Sequence, residues 1–421
     1  MVQVLSSAWA LLLGMCLLMV GNGMQGTLVG IRGDIEGFST FEMSIVMSAY
    51  FVGFLGGSRM APGMIRRVGH VRVFAALASL ISAVMILYPT VTEVWLWTLG
   101  RVLIGFCFSA VYVTAESWLN NAATNENRGQ ALSLYMIVQT GGIVLAQGLL
   151  LTADPSGYVL FVIPSILVSI AITPILLSIS PTPAFDTTKP MSLKELVGVS
   201  PLGCVGMFLL GGVFSAQFGM APVYGTSAGL SVAQISSFVA MFFVGAIVLQ
   251  YPIGWISDRM DRRILILILA SIGAVGSVLG MVLGGTYVIL LAAGFIVGGM
   301  SNPLYSLLLA HTNDFLDHED MAAASGGLVF INGLGAIFGP IITGYMMQVV
   351  GPGGFFLFTA ALLVVLAIYA GYRATQRKAI AVEDTGAYVA VAPSYTSVAM
   401  EYAQEYAIET EKEDENAQEQ V

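Results

Sequence analysis

The chain has 421 residues, of which 57% are hydrophobic and only 10% charged. Soluble domains sit near half apolar and a quarter charged, so an ordinary water-soluble domain is excluded, and a large soluble bundle would need polar helix faces that are missing here. The net charge of −9 belongs to residues 379–421, with ten acidic groups and one lysine, which leaves a body carrying fifteen charges of each sign.

Twelve apolar runs are each long enough to cross a hydrocarbon core of about 30 Å. They lie at 6–30, 40–62, 71–90, 94–118, 129–152, 157–179, 201–224, 232–255, 263–283, 286–310, 322–348 and 353–372. The first has no basic residue ahead of it and outruns a signal-peptide core, so it is expected to stay as a helix. Asn22, Gln25 and Arg32 share one of its faces. Glu42 opens the second span, which runs into RMAPGMIRRVGHVR (59–72) with Arg66 and Arg67. The fourth carries Arg101, with Gly105, Ser109, Tyr112 and Glu116 following within about 80° on an ideal helix. An arginine at mid-membrane costs roughly 2.5–3.5 kcal/mol, so Arg101 is predicted to face a central cavity. Glu116 lies about 22 Å further along the helix, too far to be its partner.

A Pro- and Ser-containing connection, SISPTPAFDTTKPMSLKELVGVSP (178–201), separates two halves, 1–180 and 201–372, with 181–200 read as the connecting loop. The second half brings Gln217 and Tyr224, then YPIGWISDRMDRR (251–263), where five ionised side chains fall within six residues. The connection into the eleventh span reads HTNDFLDHEDMAAA and holds Asp314, Asp317, Glu319 and Asp320. The tail, 373–421, combines like charge with few large apolar residues and is predicted to be disordered, with no part in the core activity. Cys16, Cys107 and Cys204 lie inside spans with neither disulfide nor metal spacing. His311 and His318 flank the acidic loop and His70 sits elsewhere, so no metal site, cofactor or enzymatic centre is expected.

Cationic residues favour cytoplasmic connections. With both termini inside, thirteen of the sixteen Lys and Arg fall in inner connections or just after the last span: Arg59, Arg66, Arg67, Arg72, Arg128, Lys189, Lys194, Arg259, Arg262, Arg263, Arg373, Arg377 and Lys378. Arg32 alone lies outside. The halves also repeat. YFVGFLGG (50–57) aligns with FFVGAIVL (242–249) and Gln25 with Gln217 at an offset of 192; Gly105, Tyr112 and Asn120 align with Gly298, Tyr305 and Asn313 at 193. Parallel six-helix repeats with a mid-membrane site between them describe a secondary transporter.

The segment from Gly254 to Arg263, GWISDRMDRR, resembles the loop motif of the major facilitator superfamily, and Arg101 with Gly105 resembles its second motif. APGMIRRVGHVR, ESWLNNAATNENRG, YPIGWISDRMDRR and AHTND are similar to the YcaD-like branch, a likeness that brings no substrate. The resemblance covers about 6–372. It implies an all-α fold of twelve transmembrane helices in two pseudo-symmetric six-helix bundles, and alternating access in a bacterial inner membrane. It also implies that Asp258 meets the start of span five, at Asn127, Arg128 and Gly129, when the inner side closes, with Gly254 admitting a neighbouring helix. Arg259, Arg262 and Arg263 are expected to anchor to acidic partners and anionic headgroups, or only to set topology. The first-half copy has Arg66 where Asp258 would be and Pro62 where Gly254 would be, so a charge-swapped gate is predicted: Arg66 and Arg67 against the acidic loop, or against Glu116. Such partly exposed pairs are worth about 0–1 kcal/mol each.

The residues expected to bind solute or couple protons are Arg101, Gln25, Asn22, Arg32, Gln217, Tyr112 and Glu116, with Asn302, Gln139, Gln147, Asn332, Tyr224 and Gln250 behind them. Buried amides also serve as plain helix–helix ties, and both readings stay open. The Gly-x-x-x-Gly-Pro of GAIFGPIITG (335–344) stands in span eleven, whereas superfamily drug–proton antiporters carry it in span five, where Ala146 and Gln147 stand here. The expected function is proton-coupled transport of a small polar or amphiphilic organic solute, anionic or aromatic. The alternatives are drug export and a membrane-embedded sensor signalling through the tail. The expected partners are the solute, a proton and membrane lipids, with no nucleic acid, and the expected state is a monomer.

Overall fold

The computed structural model describes residues 2–122, 128–177, 191–376 and 385–408, except 387 and 407. Twelve helices among them are long and apolar enough to span a membrane. They are α1 (Ala8–Ile35), α2 (Thr40–Val68), α3 (His70–Leu87), α4 (Val94–Asn120), α5 (Gly129–Thr152), α6 (Val159–Leu177), α7 (Pro201–Ser227), α8 (Val232–Ser257), α9 (Arg262–Leu283), α10 (Tyr287–Asn313), α11 (Asp320–Val350) and α12 (Gly354–Gln376). No strand occurs among the described residues. Residues 181–190 of the connection, with Lys189, and the side chain of Arg128 lie outside the described set.

The internal repeat is built into the turns. Gly37 and Gly229, 192 residues apart, adopt φ of 80° and 73° between the first and second helices of each half; only glycine takes this conformation freely. Ser39 and Ser231, at the same offset, open α2 and α8 with capping boxes whose third residues are Glu42 and Gln234. Each box satisfies orphan amides at a helix start. Glu42 is therefore a capping group.

Packing repeats with the same period. In one half α2 packs on α4, α1 on α5 and α3 on α6; in the other α8 packs on α10, α7 on α11 and α9 on α12. The α2–α4 crossing is so close that a Cβ on Gly53 would strike the Val102 carbonyl and one on Gly105 the Tyr50 carbonyl. The equivalent residues reproduce this in α8–α10, where Gly245 faces the Phe295 carbonyl and Gly298 the Phe242 carbonyl. Small residues at such crossings let backbones gain van der Waals contact that lipid tails cannot better.

The face bearing Arg66, Arg67 and the 258–263 cluster is called the cationic face below. Toward the opposite face the halves are sealed: Gly30 of α1 lies against Pro222 of α7, and Ser44 of α2 against Gly344 of α11. Deeper in, the Ser48 hydroxyl donates to the Ile337 carbonyl at 2.5 Å, and nearer the cationic face the Arg59 guanidinium lies 4.7 Å from the Phe330 ring centre.

The tail departs from expectation. Residues 385–406 are not a solvated appendage: they run between the halves at the cationic face and end in a helix at 397–406. Tyr395 and Tyr402 are fully buried there. Composition averaged over the tail hid this, because the acidic residues crowd its last third while 385–406 holds four tyrosines and a valine–alanine run. Residues 377–384 and 409–421, with Arg377, Lys378 and Lys412, lie outside the described set.

Gly53→Ala and Gly245→Ala, which press a methyl group into a backbone carbonyl, should each cost about 1–3 kcal/mol and lower the thermal midpoint of the purified protein. Gly148→Ala, whose Cβ meets nothing within 4 Å, should leave the midpoint unchanged or raise it; equal losses at all three positions would show that close backbone approach is not what these glycines supply.

Candidate functional site

A cavity of about 330 Å³ lies between the two halves, within the range of small-molecule sites. Its two walls differ chemically. On the first-half side, Arg101 of α4 is buried and donates through Nη1 to Gln25 Oε1 at 2.8 Å and through Nη2 to Met47 Sδ at 3.3 Å, with the Tyr50 ring 4.9 Å beneath. Gln25 Nε2 donates to Asn22 Oδ1 at 3.4 Å, and Asn22 Nδ2 donates to the Tyr112 hydroxyl at 2.8 Å. Among the described residues no carboxylate pairs with Arg101, and its buried Nε has no hydrogen-bond partner. A buried cation without a counter-charge is costly, so this wall carries an uncompensated positive charge.

The second-half wall is aromatic. Phe214 and Phe218 stack 5.9 Å apart, and Phe218 stacks on Phe243 at 5.3 Å. The turn of α7 from Ala216 to Met220 is π-helical, an irregularity that often marks functional sites. Pro222 follows within the same helix. The repeat is thus broken at the site: Gly294 stands at the offset position of Arg101, and Phe214 at that of Asn22.

Arg101, Gln25, Asn22 and Tyr112 are brought together on the cavity wall, and Gln139, Gln147, Gln250, Asn302 and Asn332 also line it. Four expected site residues are not part of that lining: Arg32, Gln217, Tyr224 and Glu116, the last held by the C-terminal segment. Arg32 sits at the opposite face, held by Glu36 at 2.5 Å and donating to the Pro155 carbonyl at 3.0 Å, where it clamps the loop after α5. It shares a helical face with Gln25, but seven residues carry it past the cavity. Gln217 is buried behind the wall, donating to Ser301 at 3.0 Å, so it ties α7 to α10. Tyr224 packs among Phe238, Phe355 and Phe356, outside the cavity lining.

The predicted gate is also rearranged. Asp258 accepts from the Tyr388 amide at 3.1 Å, and among the described side chains it makes no hydrogen bond or ion pair with α5. Burial raises its pKa above the ordinary value, against the Tyr388 amide and the nearby Arg262 and Arg259. The side of Gly254 is covered by the Tyr388 ring in place of a helix, and Gly129 at the start of α5 by the Tyr406 ring. Asn127 lies outside the described residues. Arg66 and Arg67 are exposed and make no ion pair among the described residues. Asp314 pairs with Arg262, and both side chains are almost fully buried. Arg263 holds Asp261 at 2.7 Å and Arg259 stacks on Trp255 at 4.2 Å. Asp317 and Asp320 are exposed, and the side chain of Glu319 lies outside the described set. Glu116 accepts from the Tyr135 hydroxyl at 3.3 Å and the Thr396 amide at 3.2 Å, and also from the Thr396 hydroxyl, and pairs with no arginine among the described residues. Among the described residues no group of His, Cys, Asp and Glu has metal-ligand geometry.

The fold and cavity define a membrane transport protein. A profile of the Major Facilitator Superfamily matches residues 11–224 and 203–391, and the chain belongs to that family. It is 26% identical over 356 residues to the "Uncharacterized MFS-type transporter YcaD" of Salmonella arizonae, covering 84% of this chain and 92% of that one. Among solved structures it resembles a point variant of the nucleoside transporter NupG, with a TM-score of 0.70, 15% identity and coverage of 86% and 98% of the two chains. It also resembles a bacterial homologue of the lysosomal transporter Spinster in an inward-facing, unoccupied conformation, with a TM-score of 0.65, 13% identity and coverage of 96% and 98%.

Asp314→Asn should destabilise the protein by about 3–5 kcal/mol, because it strands the buried Arg262. Arg66→Asp should change stability by no more than about 0.5 kcal/mol. Thermal unfolding of the two variants separates this arrangement from the charge-swapped gate, for which Arg66→Asp would be the more damaging.

Proposed function

We propose that the protein is a secondary active transporter of a small amphiphilic organic anion with a planar apolar portion, working by alternating access with proton coupling in a bacterial inner membrane. The observation that carries this reading is the pairing of an uncompensated buried arginine with a ladder of stacked phenylalanines across one cavity. An anionic group supplies the charge that Arg101 lacks, and the apolar body lies along Phe214, Phe218 and Phe243. Arg101 is pre-positioned by Gln25 and Tyr50, so little ordering is left for the bound state.

The positive-inside bias supports a cytoplasmic cationic face and two cytoplasmic termini. The seal of α1, α2, α7 and α11 toward the opposite face then corresponds to a state closed on the outside. Rocking of the halves about the cavity would expose it alternately, as parallel repeats allow. Glu116, buried on the same helix as Arg101, is the proposed proton carrier. One proton moved with the field contributes about 2.3 kcal/mol per 100 mV.

Arg101→Gln should weaken binding of an organic anion about thirtyfold, the equivalent of about 2 kcal/mol for a charged hydrogen bond, as read by thermal-shift titration. Phe218→Ala should weaken aromatic more than aliphatic anions. Equal binding of neutral and anionic ligands, unaffected by Arg101→Gln, would overturn the assignment. In proteoliposomes, Glu116→Gln should abolish stimulation by a pH gradient while leaving solute counterflow; a retained pH response would remove Glu116 from the coupling role.

A further inference from the structure

From the course of residues 385–406 we infer that the C-terminal segment is a built-in autoinhibitory strap that occupies the cavity's cationic mouth and must leave before the two halves can close there. The inference rests on the reading of the central cavity as the transport path.

The segment is held by both halves. From the first, Glu116 accepts from Thr396, Gln139 Oε1 accepts from the Ser394 hydroxyl at 2.7 Å, and the Leu132 carbonyl accepts from the Tyr395 hydroxyl at 3.3 Å. From the second, Gln250 donates to the Tyr388 hydroxyl at 3.0 Å, and the Ser306 hydroxyl donates to the Val391 carbonyl at 3.1 Å while accepting from its amide at 3.0 Å. Asn313 and Ser325 grip Gln404, at 2.7 and 3.1 Å. The buried pair Arg262–Asp314 binds the backbone of Gly386 from both sides.

Three observations distinguish the strap from a tail lying on a surface. Its residues 391–394, Val-Ala-Pro-Ser, are themselves part of the cavity lining, so they take space a solute would use. Tyr395 stacks near Tyr135 at 5.6 Å with no exposed surface, and Val391, Met400 and Tyr402 are equally enclosed. The polar groups it satisfies, Glu116 and Ser306 among them, are buried, so withdrawal leaves them to water or to a partner across the closing mouth. Closure and strap therefore compete for the same surfaces, and a device of this kind shifts a two-state equilibrium by its differential binding alone.

The test needs no substrate. In a chain with Cys16, Cys107 and Cys204 changed to serine, Thr140→Cys places one thiol on the cavity wall. A membrane-impermeant maleimide applied to the cationic face of sealed vesicles should label it about tenfold faster in a chain ending at residue 384 than in the full chain, the factor expected when the fraction of molecules with an unplugged mouth rises tenfold. Should the truncated chain fail to fold, the full-length Ser394→Ala, Thr396→Val variant should show the same direction of change. In a second arm, Ser306→Cys with Val391→Cys, positions where the first side chain touches the backbone of the second, should cross-link under mild oxidant, and the cross-link should slow labelling until it is reduced. Equal labelling in strapped and released chains, or no cross-link, would overturn the strap. Either result leaves the transport reading to the flux and binding experiments, which can fail separately.

Discussion

Hydrocarbon offers no hydrogen-bond partner, and this constraint organises the whole molecule. It confines backbone amides to helices and moves nearly every charge to the ends of the spans. A charged side chain that stays at membrane depth must turn inward. Arg101 obeys this rule, but it finds an amide, a thioether and a tyrosine ring instead of an acid. The electrostatic deficit is what the proposed anion would fill, and the aromatic wall opposite offers an apolar surface.

The same constraint explains why the duplicated halves stay alike where they pack and differ where they face each other. Gly53 and Gly245 meet carbonyls of equivalent residues, and Ser39 and Ser231 cap equivalent helices, since helix crossing and helix initiation must be solved identically in both halves. The cavity walls carry no such requirement. Where Arg101, Asn22 and Gln25 meet on one side, the offset positions hold Gly294, Phe214 and Gln217, and the last has turned to Ser301. The arginine stands in one half and the stacked phenylalanines in the other, which is the asymmetry the proposed amphiphilic solute would use.

Much was legible beforehand. Twelve apolar runs, one repeat offset and an arginine inside a span specify a two-bundle transporter with Arg101 at its centre, because hydropathy and periodicity act locally and register in any window of sequence. Shared helical faces grouped Asn22 with Gln25 and Arg101 with Tyr112, and folding joins the two pairs through hydrogen bonds. Arg32 was misplaced because helical phase says nothing of depth: it shares a face with Gln25 yet clamps a loop at the far end. The repeat offset and charge point Arg66 and Arg67 at the acidic loop, whereas Asp314 is taken by Arg262 from the neighbouring helix.

What the amino-acid order dictated, then, was the number of spans, their duplication and the residue types available at mid-membrane, all consequences of local burial preference. Only folding decided which partners those residues took. The tail shows the difference most sharply. Its acidic end dominates any average and conceals the tyrosines and the Val-Ala-Pro-Ser run ahead of it, whose burial depends on a mouth built by helices 85 to 280 residues earlier in the chain. Long-range complementarity of that kind has no period and no composition to read, and it exists only once the two halves stand side by side.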